Sequence, residues 1–220
     1  MFAIIFANGN LDPTSKIDSL LKKADLIIAA DGGANHCAHL GIMPDVLLGD
    51  LDSILPEILE SYKTEGVAIN HHPKRKDATD LELSLDLAVE KGSRSVWLIG
   101  ALGGRWDMSL ANIMLAAGDK YKQLETSLLG RDCSMQILHP GTHTITGEPG
   151  QKVSILPLKG DAHGVTLSGF EYPLKDHFVP FGSSIGVSNI MEKDQGTVEF
   201  SQGILLCVLF QENEEVSPLK

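Results

Sequence analysis

Two aspartates one residue apart, Asp50 and Asp52, follow the apolar run Val46–Leu48 after a single glycine. They belong to the turn-like segment Gly49-Asp50-Leu51-Asp52-Ser53. Mg²⁺ takes oxygen ligands and usually binds through one or two carboxylates together with substrate phosphates, so this pair suits a magnesium site. A polar surface turn has the same composition, and the metal interpretation therefore depends on further acids at the same place.

Further acidic residues follow other apolar runs that we predict to be strands. They are Asp31 after Leu26–Ala30, Asp77 and Asp80 after Val67–Asn70 and a basic loop, and Asp107 after Val96–Ile99 and a glycine loop. Ligands of open α/β sheets bind in the crevice beyond the carboxyl ends of the strands. We therefore expect these side chains to converge on one cleft, where a cation would offset their mutual repulsion.

Each of these acids also has a local structural interpretation. Asp31 could simply begin a turn. Asp80 lies within a capping box, in which Thr79 caps the helix and Glu82 bonds back to it. Asp107 could likewise cap the following helix. Capping and catalysis are compatible, because an acid at the start of a helix that begins at the cleft points into the cleft.

Basic residues accompany the acids. The run His72–Lys76 precedes Asp77, and Arg105 follows Gly103-Gly104. A basic run is commonly a solvated face. In a chain with a net charge of −11, this run fits a phosphate clamp better, with Arg105 as a bidentate donor and glycines that let the backbone approach the ligand. The residues alone thus predict Mg²⁺-dependent chemistry on a nucleotide phosphate chain.

The composition argues against several classes of protein. The chain has 18 basic and 29 acidic side chains, whereas a nucleic-acid-binding protein needs a basic surface. The three cysteines are far apart and form no Cys-x-x-Cys motif, which favours reduced thiols in a cytosolic protein. Met1–Ala7 lacks a basic region, so we predict a strand rather than a signal peptide, and no apolar run approaches the roughly 18 residues of a membrane span. We therefore expect a cytoplasmic protein that binds neither nucleic acid nor membranes.

Residues 1 to about 130 alternate wholly apolar runs with helical patterns, which predicts an open, mostly parallel α/β sheet with helices on both faces. The predicted strands are Ala3–Ala7, Leu26–Ala30, Val46–Leu48, Val67–Asn70, Val96–Ile99 and Leu124–Leu129. The predicted helices lie near Ser15–Lys23, Ala34–Leu40, Pro56–Lys63, Asp80–Lys91 and Asp107–Ala117.

The pattern changes after Gln136. Short apolar runs separated by Gly, Pro, Ser and Thr predict a small antiparallel β domain, a sandwich or barrel. The runs are Val153–Leu156, Val165–Leu167, Thr197–Phe200 and Ile204–Phe210. We therefore expect a catalytic α/β domain at residues 1–138, which binds nucleotide and Mg²⁺, and a β domain at residues 139–220.

The ordered set of motifs resembles the thiamin pyrophosphokinase family. The motifs are Asp31-Gly32-Gly33-Ala34-Asn35, Pro44-Asp45 before Gly49-Asp50-Leu51-Asp52-Ser53, Lys76-Asp77-x-Thr79-Asp80 and Gly103-Gly104-Arg105-x-Asp107. In the β domain, Gly169–Leu174 and Gly186–Asn189 are similar to the family's thiamin-binding segment. The resemblance implies transfer of a pyrophosphoryl group from ATP to the hydroxyl of thiamin, giving thiamin diphosphate and AMP, with Mg²⁺ as cofactor.

The resemblance also implies a role for each site residue. Those roles give Asp50, Asp52 and Asp80 as magnesium ligands; Asp31 and Asp107 as the rest of the acidic wall; Lys76 and Arg105 on the triphosphate; Gly32, Lys74, Gly103 and Gly104 in the nucleotide site; and Ser188 and Asn189 on the aminopyrimidine of thiamin. Either Asp77 or Asp80 could take the proton of the thiamin hydroxyl. The family is homodimeric, with active sites shared between subunits, and the same is expected here.

The chain departs from the family at Met108, where the family usually has His after the Asp of the glycine loop. Methionine can neither donate a hydrogen bond to a phosphate nor accept a proton as imidazole does, so we expect a cost in rate or nucleotide preference. Two alternatives stay open. One is a related Mg²⁺-dependent pyrophosphokinase acting on a pterin, and the other is a non-catalytic thiamin- or nucleotide-binding module.

Overall fold

The computed structural model describes residues 1–11, 15–75 and 77–211. The chain divides into two compact units, Met1–Arg131 and Asp132–Lys220, and the second is described as far as Gln211. The predicted domain boundary between residues 138 and 139 lies later in the chain. The strand Cys133–Leu138 pairs with Gln202–Phe210, which explains why it groups with the second unit.

Parallel strands form the sheet of the first unit, in the order β4-β3-β2-β1-β5-β6. The strands are β1 (Phe2–Phe6), β2 (Leu26–Ala30), β3 (Val46–Gly49), β4 (Ala68–His71), β5 (Ser95–Ile99) and β6 (Glu125–Leu129). The strand order reverses between β1 and β5, and such a switch point opens a crevice at the carboxyl ends of the strands.

Helices cover both faces of this sheet. They are α1 (Ser15–Leu21), α2 (Gly33–His39), α3 (Pro56–Thr64), α4 (Asp80–Glu90) and α5 (Trp106–Ala116), with a short 3₁₀ turn at Asp119–Tyr121. The crossovers through α1, α2 and α3 lead from β1 towards β4, and those through α4 and α5 lead from β4 towards β6. Because crossovers are right-handed, the first three helices lie on one face of the sheet and the last two on the opposite face. On the first face, Ile4 and Phe6 of β1 share a core with Cys37 of α2 and Tyr62 of α3. Burial on both faces explains why the strands are apolar throughout.

Antiparallel strands form the second unit, in the order β7-β13-β9-β12-β8, and β10 and β11 also pair with β9. The strands are β7 (Cys133–Leu138), β8 (Gly141–Thr146), β9 (Lys152–Ser168), β10 (Leu174–Val179), β11 (Asn189–Ile190), β12 (Gln195–Phe200) and β13 (Gln202–Phe210). The two units together confirm the predicted fold class, a mostly parallel α/β sheet followed by an all-β region.

The long strand β9 corrects one detail of the sequence analysis. Val153–Leu156 and Val165–Leu167 were predicted as separate strands, which is wrong, because both lie within β9. Gly160 and Gly164 separate them at φ angles of +71° and +68°, a region that glycine enters without steric cost. The strand can therefore bend there and continue.

Within the described ranges, no helix combines the length and the apolar character that crossing a bilayer requires.

Candidate active site

Three carboxylates converge at the ends of β2 and β3. Ligand oxygens of Asp31, Asp50 and Asp52 all lie within 4.8 Å of one another. The two strand ends are held side by side, because the backbone N–H of Asp31 donates to the carbonyl of Leu48 at 2.7 Å. The acids that follow β2 and β3 therefore lie together, as the sequence predicts.

The carboxylate of Asp31 has one oxygen atom without a hydrogen-bond partner among the described residues. Its Oδ1 is buried, and no hydrogen-bond donor among the described residues reaches it. A buried carboxylate oxygen without a partner is costly, and three acids this close repel one another. The donor set contains only carboxylate oxygens, which are the ligands that Mg²⁺ and similar hard cations accept. The cluster formed by Asp31, Asp50 and Asp52 therefore fits a divalent cation.

Asp80 adjoins this three-carboxylate cluster, as the geometry around Gly49 shows. A Cβ added to Gly49 would lie 3.0 Å from Cβ of Asp31 and 3.1 Å from Oδ1 of Asp80. Asp80 is the first residue of α4, and the hydroxyl oxygen of Thr79 accepts from the N–H of Glu82 at 3.2 Å, which confirms Thr79 as the predicted helix cap. Capping and placement of Asp80 at the cleft thus occur together.

The loop that carries Asp50 and Asp52 is held by Asn35 of α2. Asn35 Nδ2 donates to the carbonyl of Ser53 at 2.8 Å, and Asn35 Oδ1 accepts from the N–H of Leu55 at 3.1 Å. Inside the loop, Asp50 Oδ1 accepts from the N–H of Asp52 at 3.2 Å. These contacts fix the position of both carboxylates relative to α2, which begins at Gly33, two residues after Asp31.

Lys74 from the basic run reaches the same cluster. Its Nζ forms an ion pair with Oδ2 of Asp52. This hydrogen bond lowers the pKa of Asp52 and raises that of Lys74, and the hydroxyl of Ser53 adds to the effect on Asp52 by donating to Oδ1 at 3.1 Å. The predicted association of basic run and acidic cluster is therefore visible at one residue of the run.

A cleft of about 570 Å³ opens beside the cluster, within the size range of small-molecule sites. It lies at the switch point between β1 and β5. Besides Asp31, Asp50 and Asp80, its lining includes Asn8, Gly9 and Asn10 after β1, Lys74, and Gly103, Gly104, Arg105, Met108 and Asn112 after β5.

The glycine loop after β5 is braced by two polar residues of α5. Ser109 Oγ accepts from the N–H of Gly103 and donates to the carbonyl of Arg105, both at 3.0 Å. The buried Asn112 donates from Nδ2 to the carbonyl of Ala101 at 2.7 Å. The loop passes close to the β1 loop as well, since a Cβ on Gly103 (φ +86°) would lie 3.1 Å from Cβ of Asn10.

Arg105 and Asp107 form a two-bond ion pair of their own. Arg105 donates from Nη2 to Oδ2 at 2.5 Å and from Nε to Oδ1 at 3.1 Å, and both side chains are exposed. The pair raises the pKa of Arg105 and lowers that of Asp107. Asp107 was expected to complete the acidic wall. The structure instead places its carboxylate on Arg105, while the cluster is formed by the other strand ends.

Comparisons with known proteins identify the family of this chain. A family model for the catalytic domain of thiamin pyrophosphokinase matches residues 17–128, and a model for its vitamin B1 binding domain matches residues 142–205. Thiamine pyrophosphokinase from Bacillus subtilis is 32% identical over 205 residues, which cover 93% of this chain and 96% of the relative. This chain belongs to the thiamin pyrophosphokinase family.

Solved structures give the same relationship for the fold. The crystal structure of thiamine pyrophosphokinase from Bacillus subtilis superposes with a TM-score of 0.84 at 30% identity, covering 96% of this chain and all of that one. Thiamin pyrophosphokinase from Geobacillus thermodenitrificans gives a TM-score of 0.83 at 28% identity, covering 97% and 99%. These relatives thus share the fold of both units of this thiamin pyrophosphokinase family member.

In the second unit, the predicted thiamin residues Ser188 and Asn189 have structural partners. Asn189 is buried, its Oδ1 accepts from the N–H of Tyr172 at 3.0 Å, and its Nδ2 donates to the carbonyl of Tyr172 at 2.8 Å. Ser188 has a φ of +56°, and its N–H donates to Oγ of Ser154 at 3.0 Å. Asn189 therefore holds the backbone of the exposed Tyr172. It joins Gly169–Leu174 to Gly186–Asn189, the two segments that resemble the family.

The remaining predicted residues lie in different situations. Asp77 is exposed and does not line the cleft, whereas Asp80 does. Lys76 lies outside the described residues. Gly32 packs under the β1 loop, because a Cβ there would lie 2.3 Å from Cγ of Asn8. Met108 lines the cleft and is partly exposed.

The sequence analysis gave no role to several residues that shape the site. They are Asn8 and Asn10 after β1, Asn35 of α2, and Ser109 and Asn112 of α5. The Asn8-Gly9-Asn10 tripeptide after an apolar run was a usable signal, because a polar loop at the switch-point strand lies at the ligand crevice. The partners of Asn35, Ser109 and Asn112 are mostly backbone groups, which leave no mark in the sequence.

Proposed function

We propose that this protein transfers the pyrophosphoryl group of ATP to the hydroxyl of thiamin, giving thiamin diphosphate and AMP. The observation that carries the proposal is the three-carboxylate cluster beside a cleft at the switch point of the sheet. Within this cluster, the buried Oδ1 of Asp31 has no hydrogen-bond partner among the described residues. Membership of the thiamin pyrophosphokinase family supplies the reaction class.

The chain's own residues would hold the metal and the phosphates. Asp31, Asp50 and Asp52 would bind Mg²⁺, with Asp80 adjoining them; this set adds Asp31 to the ligands expected from the sequence. Bound Mg²⁺ would neutralise charge on the phosphate oxygens during the transfer. A site that neutralises charge and fixes geometry suffices for such a reaction, which needs little covalent help from the protein.

Arg105 is suited to bind phosphate oxygens while it stays paired with Asp107. A guanidinium has five N–H donors in a planar fork, and the ion pair uses two of them. The remaining donors can turn to the cleft, which Arg105 lines. In this arrangement Asp107 orients the guanidinium.

The hydroxyl oxygen of thiamin attacks the β-phosphorus, the bond from that phosphorus to the oxygen bridging the α-phosphorus breaks, and AMP leaves with the bridging oxygen. The hydroxyl proton passes to a carboxylate. Asp80 suits this role better than Asp77, because Asp80 lines the cleft and Asp77 does not.

The proposed assembly is a homodimer that binds ATP and thiamin at shared active sites. Exposed apolar side chains support a partner surface on each unit, with Trp106, Leu110 and Met114 on α5 and Phe178 and Phe181 in the second unit. Light scattering of the purified protein tests this directly, and a monomeric mass at concentrations that support activity would contradict it.

The decisive experiment measures AMP and thiamin diphosphate from ATP with Mg²⁺, with and without thiamin. We expect both products only when thiamin is present, in equal amounts, and neither product from an Asp50→Asn variant. A hydroxymethyl pterin as acceptor tests the related pyrophosphokinase. AMP release with the pterin and none with thiamin would identify the pterin as the substrate. Binding of thiamin without AMP release would indicate a non-catalytic module.

A further inference from the structure

Lys74 occupies an unusual position for a phosphate-binding residue. Its ammonium is paired with Asp52, one of the three proposed metal ligands, and it lines the cleft. Asp52 is the main cause of its raised pKa, and Asp50 and Asp31 act on it in the same direction. The positive charge of Lys74 therefore lies where all three carboxylates of the cluster act on it.

We propose that Lys74 is a built-in counter-ion, which competes with the divalent cation for the three-carboxylate cluster and moves to a phosphate when the metal–nucleotide complex binds. The inference rests on the proposed function, because it requires the cluster to be a metal site. It adds that the ammonium of Lys74 is the partner of Asp52 until the metal–nucleotide complex binds.

Charge bookkeeping supports a temporary role for Lys74. One ammonium offsets one of three negative charges, and Oδ1 of Asp31 keeps no hydrogen-bond partner among the described residues even with Lys74 in place. A divalent cation neutralises more of the cluster and can take several oxygens at once. Lys74 therefore reduces the repulsion between the carboxylates without satisfying them.

The strength of the pair also suits exchange. The side chains of Lys74 and Asp52 are 78% and 46% exposed, and exposed ion pairs contribute little to stability. Lysine carries a compact charge on a flexible four-carbon stem, so it can turn from a carboxylate to a nearby phosphate. By contrast, Arg105 is held by two hydrogen bonds to Asp107, outside the cluster, and need not move.

The test is a titration of the purified protein with Mn²⁺ alone, followed by electron paramagnetic resonance, so that its readout is metal binding and not turnover. We expect Lys74→Met to bind Mn²⁺ roughly 1.5-fold to fivefold more tightly than the wild type, the range that removal of one exposed competing pair allows. Lys74→Arg should bind Mn²⁺ like the wild type, because it keeps the charge.

A matched control is Lys63→Met. Lys63 forms an exposed ion pair with Glu60 at 2.6 Å on α3, so this variant changes the net charge equally and leaves the cleft intact. We expect it to bind Mn²⁺ like the wild type. The same gain in Lys63→Met and Lys74→Met would overturn the inference, because it would show an effect of net charge alone.

The second arm uses an ATP analogue with a methylene group between the α- and β-phosphorus, which cannot be cleaved there. Lys74→Met should bind its Mn²⁺ complex more weakly than the wild type, so that the variant gains affinity for the metal alone and loses it for the metal–nucleotide complex. Equal Mn²⁺ affinity of wild type and Lys74→Met overturns the competition only. Failure of the wild type to bind Mn²⁺ overturns the proposed metal site itself.

Discussion

Asn35 makes the placement of the proposed metal carboxylates testable without replacing a carboxylate. It holds the loop after Asp52 through two hydrogen bonds, 2.8 Å to the carbonyl of Ser53 and 3.1 Å from the N–H of Leu55. Replacement of Asn35 by alanine removes both bonds. Because the bonds lie close to Asp50 and Asp52, the loss should loosen the cluster before it unfolds the protein.

The magnitude follows from the two bonds. A hydrogen bond of this kind contributes roughly 0.5–1.5 kcal/mol, so Asn35→Ala should weaken the loop by about 1–2 kcal/mol after water replaces part of the loss. Since about 1.4 kcal/mol corresponds to a tenfold change, Mn²⁺ affinity should fall roughly fivefold to thirtyfold if the loop must reform its position to bind. Direct Mn²⁺ titration measures this, and thermal unfolding reports any global effect.

Asn112 supplies a matched control on the other side of the cleft. It too is a helix asparagine that donates from Nδ2 to a loop carbonyl, that of Ala101 at 2.7 Å, but its loop carries Arg105 and no metal ligand. Asn112→Ala should weaken binding of the metal–nucleotide analogue and leave the affinity for Mn²⁺ alone unchanged. The reasoning is refuted if Asn35→Ala binds Mn²⁺ as tightly as the wild type, or if Asn112→Ala weakens it equally.

Three further predictions concern other residues. Gly49→Ala should destabilise the protein by about 1–3 kcal/mol, because Gly49 has a φ of +144°, and it should also weaken Mn²⁺ binding. Gly66 has a φ of +82° with open space around it, so Gly66→Ala should lower stability and leave Mn²⁺ binding unchanged. Met108→His should raise turnover or ATP affinity roughly tenfold by adding a donor to a charged ligand, and unchanged kinetics would show that position 108 is indifferent. Burial raises the pKa of Cys37 and Cys207 to about 12, so each thiol stays protonated in the folded protein and loses its proton on unfolding above about pH 9. The free energy of unfolding should therefore fall with rising pH by about 1.4 kcal/mol per pH unit for each thiol. Urea unfolding between about pH 9 and pH 11 should show a shallower decline for the double alanine variant than for the wild type.

The first unit was predictable because its parallel sheet constrains the sequence strongly. Strands buried on both faces must be apolar throughout, and the acids that follow them must lie at one edge of the sheet. These two rules alone predict that Asp31, Asp50, Asp52 and Asp80 lie close together. Asp107 fits the same rule by position, but its pairing with Arg105 two residues away could not be read from strand order.

The β region was harder to predict because its pairing is decided at a distance. Val153 and Val165 look like parts of two strands, since Gly160 and Gly164 stand between them. In the structure β9 continues through both glycines and pairs with different neighbours along its length, including β13 near Val153 and β12 near Leu167. Antiparallel pairing depends on these partners, and a run of sequence alone does not contain them.

The backbone around the cluster argues against a purely structural turn. Leu51, which lies between Asp50 and Asp52, has a φ angle of +64°, a region that residues other than Gly, Asn, Asp and His rarely enter. A turn shaped only for stability would place glycine there and would not bring three carboxylates within 4.8 Å. Steric strain and charge repulsion thus occur at the same few residues, and strain concentrated in this way is typical of ligand sites. A bound cation would offset the repulsion, which is why the metal interpretation accounts for a geometry that turn formation leaves unexplained.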